Sequence, residues 1–159
     1  MVKYFYRIKL TIWREMSFIF AFIAGAVLIL QSSINAQLLN FFESPIHATT
    51  VSFIAGTIAL LFVCLFVKSP LPDIGELTQI KLWQLSGGAI GAIYVLSIIS
   101  LLPKLVTANL FSLIIAGQMI MSLIFDHFGF FGMPTHPVNT ARVAGTFLLI
   151  TSVYIIQKA

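Results

Sequence analysis

Apolar residues fall into five long runs, at about 16–39, 48–67, 83–102, 106–125 and 140–156, with polar residues gathered in the short segments between them. A helix rises 1.5 Å per residue and the hydrocarbon of a bilayer is about 30 Å thick, so about 20 apolar residues are enough to cross it. The pattern predicts an all-α integral membrane protein with five transmembrane helices. Residues 1–15 precede the first run. There Lys3, Arg7, Lys9 and Arg14 interleave with Tyr4, Phe5, Tyr6, Ile8, Leu10, Ile12 and Trp13, a mixture suited to the headgroup layer. We therefore expect a basic aromatic interfacial segment over 1–15, or a loose basic tail, and a five-helix domain over 16–156. The first run is longer than a signal-peptide core, and its Ala24-Gly25-Ala26 lies in mid-span, so the first helix is expected to be retained.

The spans are not uniformly greasy. In the first, Gln31, Ser32 and Asn35 share a sector that Ala21, Ala24 and Gly25 extend toward the N-terminus. Amides facing lipid are costly, so this side must meet protein or a wet cavity. Lining a cavity and bonding between helices are both open. In the fourth, Asn109, Ser112 and Ala116 lie on one face, with Phe111, Gln118 and Ser122 nearly opposite. Gln118 is expected near mid-depth, where it contacts a solute or clamps a neighbouring helix. In the third, Trp83, Gly87, Gly91 and Tyr94 share a face, and Gly87-x-x-x-Gly91 permits close backbone approach or leaves room for a ligand beneath Tyr94. Gly56 among Ala48, Ser52 and Ala59, and Gly145 between Ala141 and Ser152, give the second and fifth spans similar small-residue faces. The candidates for solute binding are thus Gln31, Ser32, Asn35, Tyr94, Asn109 and Gln118. Those for helix packing are Gly56, Gly87, Gly91 and Gly145.

Composition narrows the classes. Hydrophobic residues make up 59% and charged residues 9% of the 159, against about 25% charged in soluble domains. The net charge of +4 sits at span boundaries rather than in one stripe, so no nucleic-acid partner is expected. Cys64 has no second cysteine to pair with, and His47, His127 and His136 lack metal-ligand spacing. Cys64 reads as a small packing residue. No nucleophile–base pair, phosphate loop or cofactor motif is present, so we expect neither an enzyme, a metal nor a cofactor. Asp126-His127, at the end of the fourth span, is either a solvated capping pair or a titrating pair that couples transport.

Charge also orients the chain. Seven Lys and Arg (Lys3, Arg7, Lys9, Arg14, Lys68, Lys81 and Arg142) fall on one side of a five-span topology, and two (Lys104 and Lys158) on the other. The positive-inside rule then puts the N-terminus in the cytoplasm and the C-terminus outside. Five spans cannot hold two equal inverted halves, the arrangement many transporters use to build a midplane site. A mechanism of that kind needs a second chain, either another copy or an oppositely oriented sister.

The order of short motifs carries a resemblance. Gln31-Ser-x-x-Asn35-x-x-Leu38, Ser44-Pro45 and Ser52-Phe53-x-x-Gly56 are followed by Gly87-Gly88-x-x-Gly91-Ala92-x-Tyr94-Val95. Pro103, Ala116-Gly117-Gln118 and Asp126-His127-Phe128-Gly129 complete the series. Over about residues 18–156 the chain resembles the YdcZ-type family of small bacterial membrane proteins, placed in the drug/metabolite transporter superfamily near the EamA-like and small multidrug resistance branches. The resemblance implies an exporter in the bacterial cytoplasmic membrane. It also implies a fold like one half of an EamA-like ten-helix transporter, and a cavity drawing on Gln31, Asn35, Tyr94 and Gln118. The membrane-embedded glutamate of the small multidrug transporters has no counterpart in the first span here. The basic extension before Met16 and Val106, where glycine is expected, also depart from the pattern. The function expected is a dimeric, alternating-access transporter of a small solute, neutral or zwitterionic, embedded in lipid. The competing reading is a non-transporting scaffold or regulatory subunit of a larger membrane complex.

Overall fold

The computed structural model describes the backbone of residues 2–70 and 72–158, and the side chains of these except 2–12, 14 and 74. The elements in chain order are α1 (Val2–Gln37), α2 (Leu39–Phe42), α3 (Pro45–Val67), α4 (Ile74–Leu77), α5 (Leu82–Leu101), α6 (Thr107–Phe128), a 3-10 turn (Phe130–Gly132) and α7 (Thr140–Lys158). Five of these are long and apolar enough to cross a membrane, and no strand occurs among the described residues. The stretches of span length and apolar composition run Glu15–Phe42, Pro45–Val67, Leu82–Leu101, Thr107–Phe128 and Thr140–Lys158. α3 starts three residues early because Pro45, which has no N–H to leave unsatisfied, opens it. The interfacial character expected of residues 1–15 rests largely on side chains outside the described ones. Their backbone, from Val2 on, is helical and continuous with α1.

The chain forms two compact units, one ending at Ser100 and the other beginning at Leu101. In the first, α1 turns at Leu38 into α2, whose last turn closes on Glu43 in the left-handed region. The chain then re-enters as α3, so that α1 and α3 pack side by side. The residues buried here are Ser32 and Asn35 on α1, Ala48 and Thr49 on α3, and Ile98 and Ile99 on α5. α5 is opened by Gln84, whose side-chain oxygen accepts the Lys81 N–H at 2.9 Å, half of a capping box.

In the second unit α6 and α7 pack as a hairpin, with Leu110, Phe111, Ser112, Ala116 and Val153 buried. α6 ends at Gly129, whose φ of +64° suits a residue without a side chain and whose N–H reaches the Phe125 carbonyl at 2.8 Å. Asn139 opens α7 by accepting the Arg142 N–H at 2.9 Å. Between them Phe125 meets the edges of Phe130 and Phe131, with centroids 5.5 and 5.7 Å away.

A membrane core offers no water to hydroxyl groups, and the spans answer within themselves. Ser32, Ser33, Thr49, Thr50, Thr57, Ser97 and Ser100 each donate to the carbonyl four residues back in their own helix. Ser52 does otherwise, and its partner leads to the site.

Candidate functional site

Ser52 donates its hydroxyl across to α1, where the Asn35 Oδ1 accepts at 3.0 Å. Asn35 is 7% exposed and Ser32, one turn before it, 6%. Thr49, one turn before Ser52 on α3, is 6% exposed. The sequence pattern placed Ser32 and Asn35 in one sector of α1, and they do form its buried side. Gln31 belongs to the same run yet lies exposed on α1, with no hydrogen-bond partner among the described residues. The seam between α1 and α3 is therefore polar and buried, and Asn35 is its centre.

α5 approaches α3 through Gly91. A β-carbon there would stand 3.8 Å from the Phe53 ring, an ordinary contact, whereas at Gly56, Gly87 and Gly145 it would meet nothing within 4 Å. Of the four glycines expected to pack helices, Gly91 alone is close to a neighbouring element within the chain. Beside this approach runs a groove of about 400 Å³ lined by Thr49, Thr50, Phe53, Ile54, Thr57, Ile58 and Ala92. Its three threonine hydroxyls already donate to α3 carbonyls, so the groove offers methyl groups and acceptor oxygens. Tyr94, three residues beyond Gly91, is half-buried.

In the second unit Asn109 is half-buried and heads the face that buries Ser112 and Ala116, as the pattern on α6 required. Gln118 lies exposed nine residues on, half a turn around the helix, with Ser122 also exposed. Phe111, expected beside them, is buried. The ionisable groups are confined to the ends of this hairpin. Asp126 Oδ2 stands 3.1 Å from the Arg142 Nη1, and the His127 Nδ1 accepts the Val138 N–H at 3.2 Å. Among the described residues no group of His, Cys, Asp and Glu could hold a metal ion. Asp126 and His127 thus have structural partners in the elbow, which bears on the capping reading of that pair.

Two features escaped the reading of the sequence. Ser52 appears there as one small residue in a row, and nothing local says that its hydroxyl leaves its own helix. The threonines of α3 form a groove together with Ala92 of α5, which is a relation between helices.

The family described as "Putative inner membrane exporter, YdcZ" matches residues 16–155. The chain belongs to the YdcZ family. It is 23% identical over 146 residues to the inner membrane protein YdcZ of Escherichia coli (strain K12), covering 91% of this chain and 97% of that protein. No solved structure matches. Membership of the YdcZ family and five apolar helices make this a multi-pass protein of the inner membrane. The matched span takes in the Asn35–Ser52 seam, the α3 groove and the α6–α7 elbow, and stops short of the basic start.

Proposed function

We propose that the chain is an exporter of small organic solutes, of the drug/metabolite transporter type, working as a dimer by alternating access. The observation that carries this reading is the buried polar seam around Asn35 in spans that hold almost no charge. A bond that only joins two helices accounts for the Asn35 oxygen, which Ser52 occupies, and not for its buried nitrogen, which has no partner. Five spans supply one half of an inverted-repeat transporter, so a second chain completes it. The open glycines at Gly56, Gly87 and Gly145 and the exposed amides of Gln31 and Gln118 give that second chain surfaces to meet. Gln31, Ser32, Asn35 and Tyr94 in the first unit, and Asn109 and Gln118 in the second, are the candidate solute contacts, and rocking of one bundle against the other opens the assembly to each side in turn.

The test is reconstitution of the purified protein into liposomes, with cross-linking to establish the dimer and flux of a solute panel to establish transport. Gln118→Leu is expected to abolish flux while leaving helical content and yield unchanged. Normal flux in that variant removes Gln118 from the path. Absence of flux in the wild type, together with one stoichiometric membrane partner on purification, favours the scaffold reading instead.

A further inference from the structure

The Asn35 amide has one end occupied and one end free. Its Oδ1 accepts from Ser52, while its Nδ2, fully buried, has no hydrogen-bond partner. Leaving a buried donor unmade costs about 1–3 kcal/mol, and such a group in a folded protein calls for an explanation. The neighbouring hydroxyls do not supply one. Ser32 already donates to the Leu28 carbonyl and Thr49 to the Pro45 carbonyl. Ser52 could have donated to its own helix as they do, but it crosses to α1 and occupies the amide oxygen, leaving the nitrogen unpartnered.

Charge around this point is sparse. After Glu15, α1 carries no ionisable residue, and Asn35 lies 20 residues farther along, about 30 Å at helical rise. α3 has His47 near its start and no Asp, Glu, Lys or Arg, and α5 has no ionisable group other than Tyr94. Glu43 is in the exposed turn beyond α2. α1 after Glu15, α3 and α5 thus hold no Asp, Glu, Lys or Arg to offset the charge of an ammonium or a carboxylate, and an uncompensated ion is expensive at membrane depth.

Resting on the exporter reading, we propose that Asn35 is a donor-only recognition point for the carbonyl oxygen of an uncharged solute, and that Ser52 is the positioning residue that fixes its polarity. The chemistry selected is that of a neutral amide, lactam or ester, and organic cations are rejected. Without the Ser52 hydroxyl the amide is free to turn its oxygen outward, and the discrimination fades.

A matched pair of probes tests this: ε-caprolactam, a neutral lactam, and azepane, the same ring with a protonated amine in place of the amide. Full-length protein in liposomes is expected to export the lactam about tenfold faster than the amine, the ratio one good hydrogen bond supports. Ser52→Ala should bring the two rates to within about threefold with the helical content kept. Asn35→Asp should reverse the preference, because a carboxylate presents acceptors and negative charge. The readout independent of transport is thermal unfolding in detergent, where the lactam should raise the midpoint of the wild type and not that of Asn35→Asp. Equal export of both probes, a preference for the amine, or an unchanged ratio in Asn35→Asp overturns the proposal and leaves the exporter reading standing. Lactam-dependent stabilisation without any flux upholds the recognition point and overturns export. Neither flux nor stabilisation overturns both.

Discussion

Arg142 reaches Asp126 and the backbone of His136 with the same nitrogen: its Nη1 stands 3.1 Å from the Asp126 Oδ2 and 3.2 Å from the His136 carbonyl oxygen. The His136 N–H in turn donates to the Asp126 carbonyl at 2.7 Å. One guanidinium thus ties the last turn of α6, the connecting loop and the first turn of α7. The two side chains are 36% and 38% exposed, and pairs of this kind contribute about 0–1 kcal/mol. Arg142→Gln is therefore expected to shift the unfolding temperature little, while speeding hydrogen exchange across residues 133–138. Exchange there as slow as in the wild type would show that the loop holds without the clamp.

Gly129 is more demanding. A β-carbon at its φ of +64° would come 2.7 Å from the Thr135 Cγ2 and 3.0 Å from the Met133 carbonyl oxygen. The left-handed conformation alone costs an L-residue about 1–2 kcal/mol, and the backbone contact cannot swing away as a side chain can. Gly129→Ala should lower stability in detergent by about 2 kcal/mol. Adding Thr135→Ser, which removes the nearer methyl, should restore part of the loss. A single variant as stable as the wild type would mean that the elbow relaxes freely.

The parts of this protein that were legible in its sequence are those governed by one helix at a time. The length of an apolar run dictates a span, so five helices long and apolar enough to cross a membrane are legible in it. A 100° step per residue dictates a face, so Ser32 and Asn35 on α1, and Ser112 and Ala116 on α6, are buried together, although Phe111, expected opposite the latter pair, is buried as well. Relations between helices were less legible. Gln31 shares the polar run with Asn35 but is exposed, because α3 covers only part of that sector. Ser52 became a partner of Asn35 through the turn at 38–44, whose angle no periodicity encodes. Gly56, Gly87 and Gly145 lie on small-residue faces as Gly91 does, yet Gly91 alone of these four would bring a β-carbon within 4 Å of a neighbour in the chain.

The open glycines lead to a prediction about assembly. Nothing lies within 4 Å of a β-carbon at Gly87 or Gly145, and both sit within helices, where replacing Gly by Ala favours the helix by about 0.5–1 kcal/mol. Gly87→Leu and Gly145→Leu should leave the monomer folded, and even slightly more stable. If these faces pack against a second chain, each substitution should reduce dimer cross-linking severalfold. Undiminished cross-linking in both variants would remove these faces from the dimer contact.

Topology can be examined through the long first helix. Its 36 residues extend about 54 Å at helical rise, well beyond the roughly 30 Å of hydrocarbon, and the excess falls at the N-terminal end that carries Lys3, Arg7, Lys9 and Arg14. The positive-inside rule weighs residues close to the span ends, so these four dominate the bias. A C-terminal reporter on the wild-type chain should be found outside the cytoplasm. Changing all four to Gln leaves Lys68, Lys81 and Arg142 against Lys104 and Lys158, nearly a balance, and a mixed population of both orientations is expected. A reporter that stays wholly outside in that variant would assign orientation to the later loops. A wild-type reporter already split between the two sides would instead make one chain its own inverted partner.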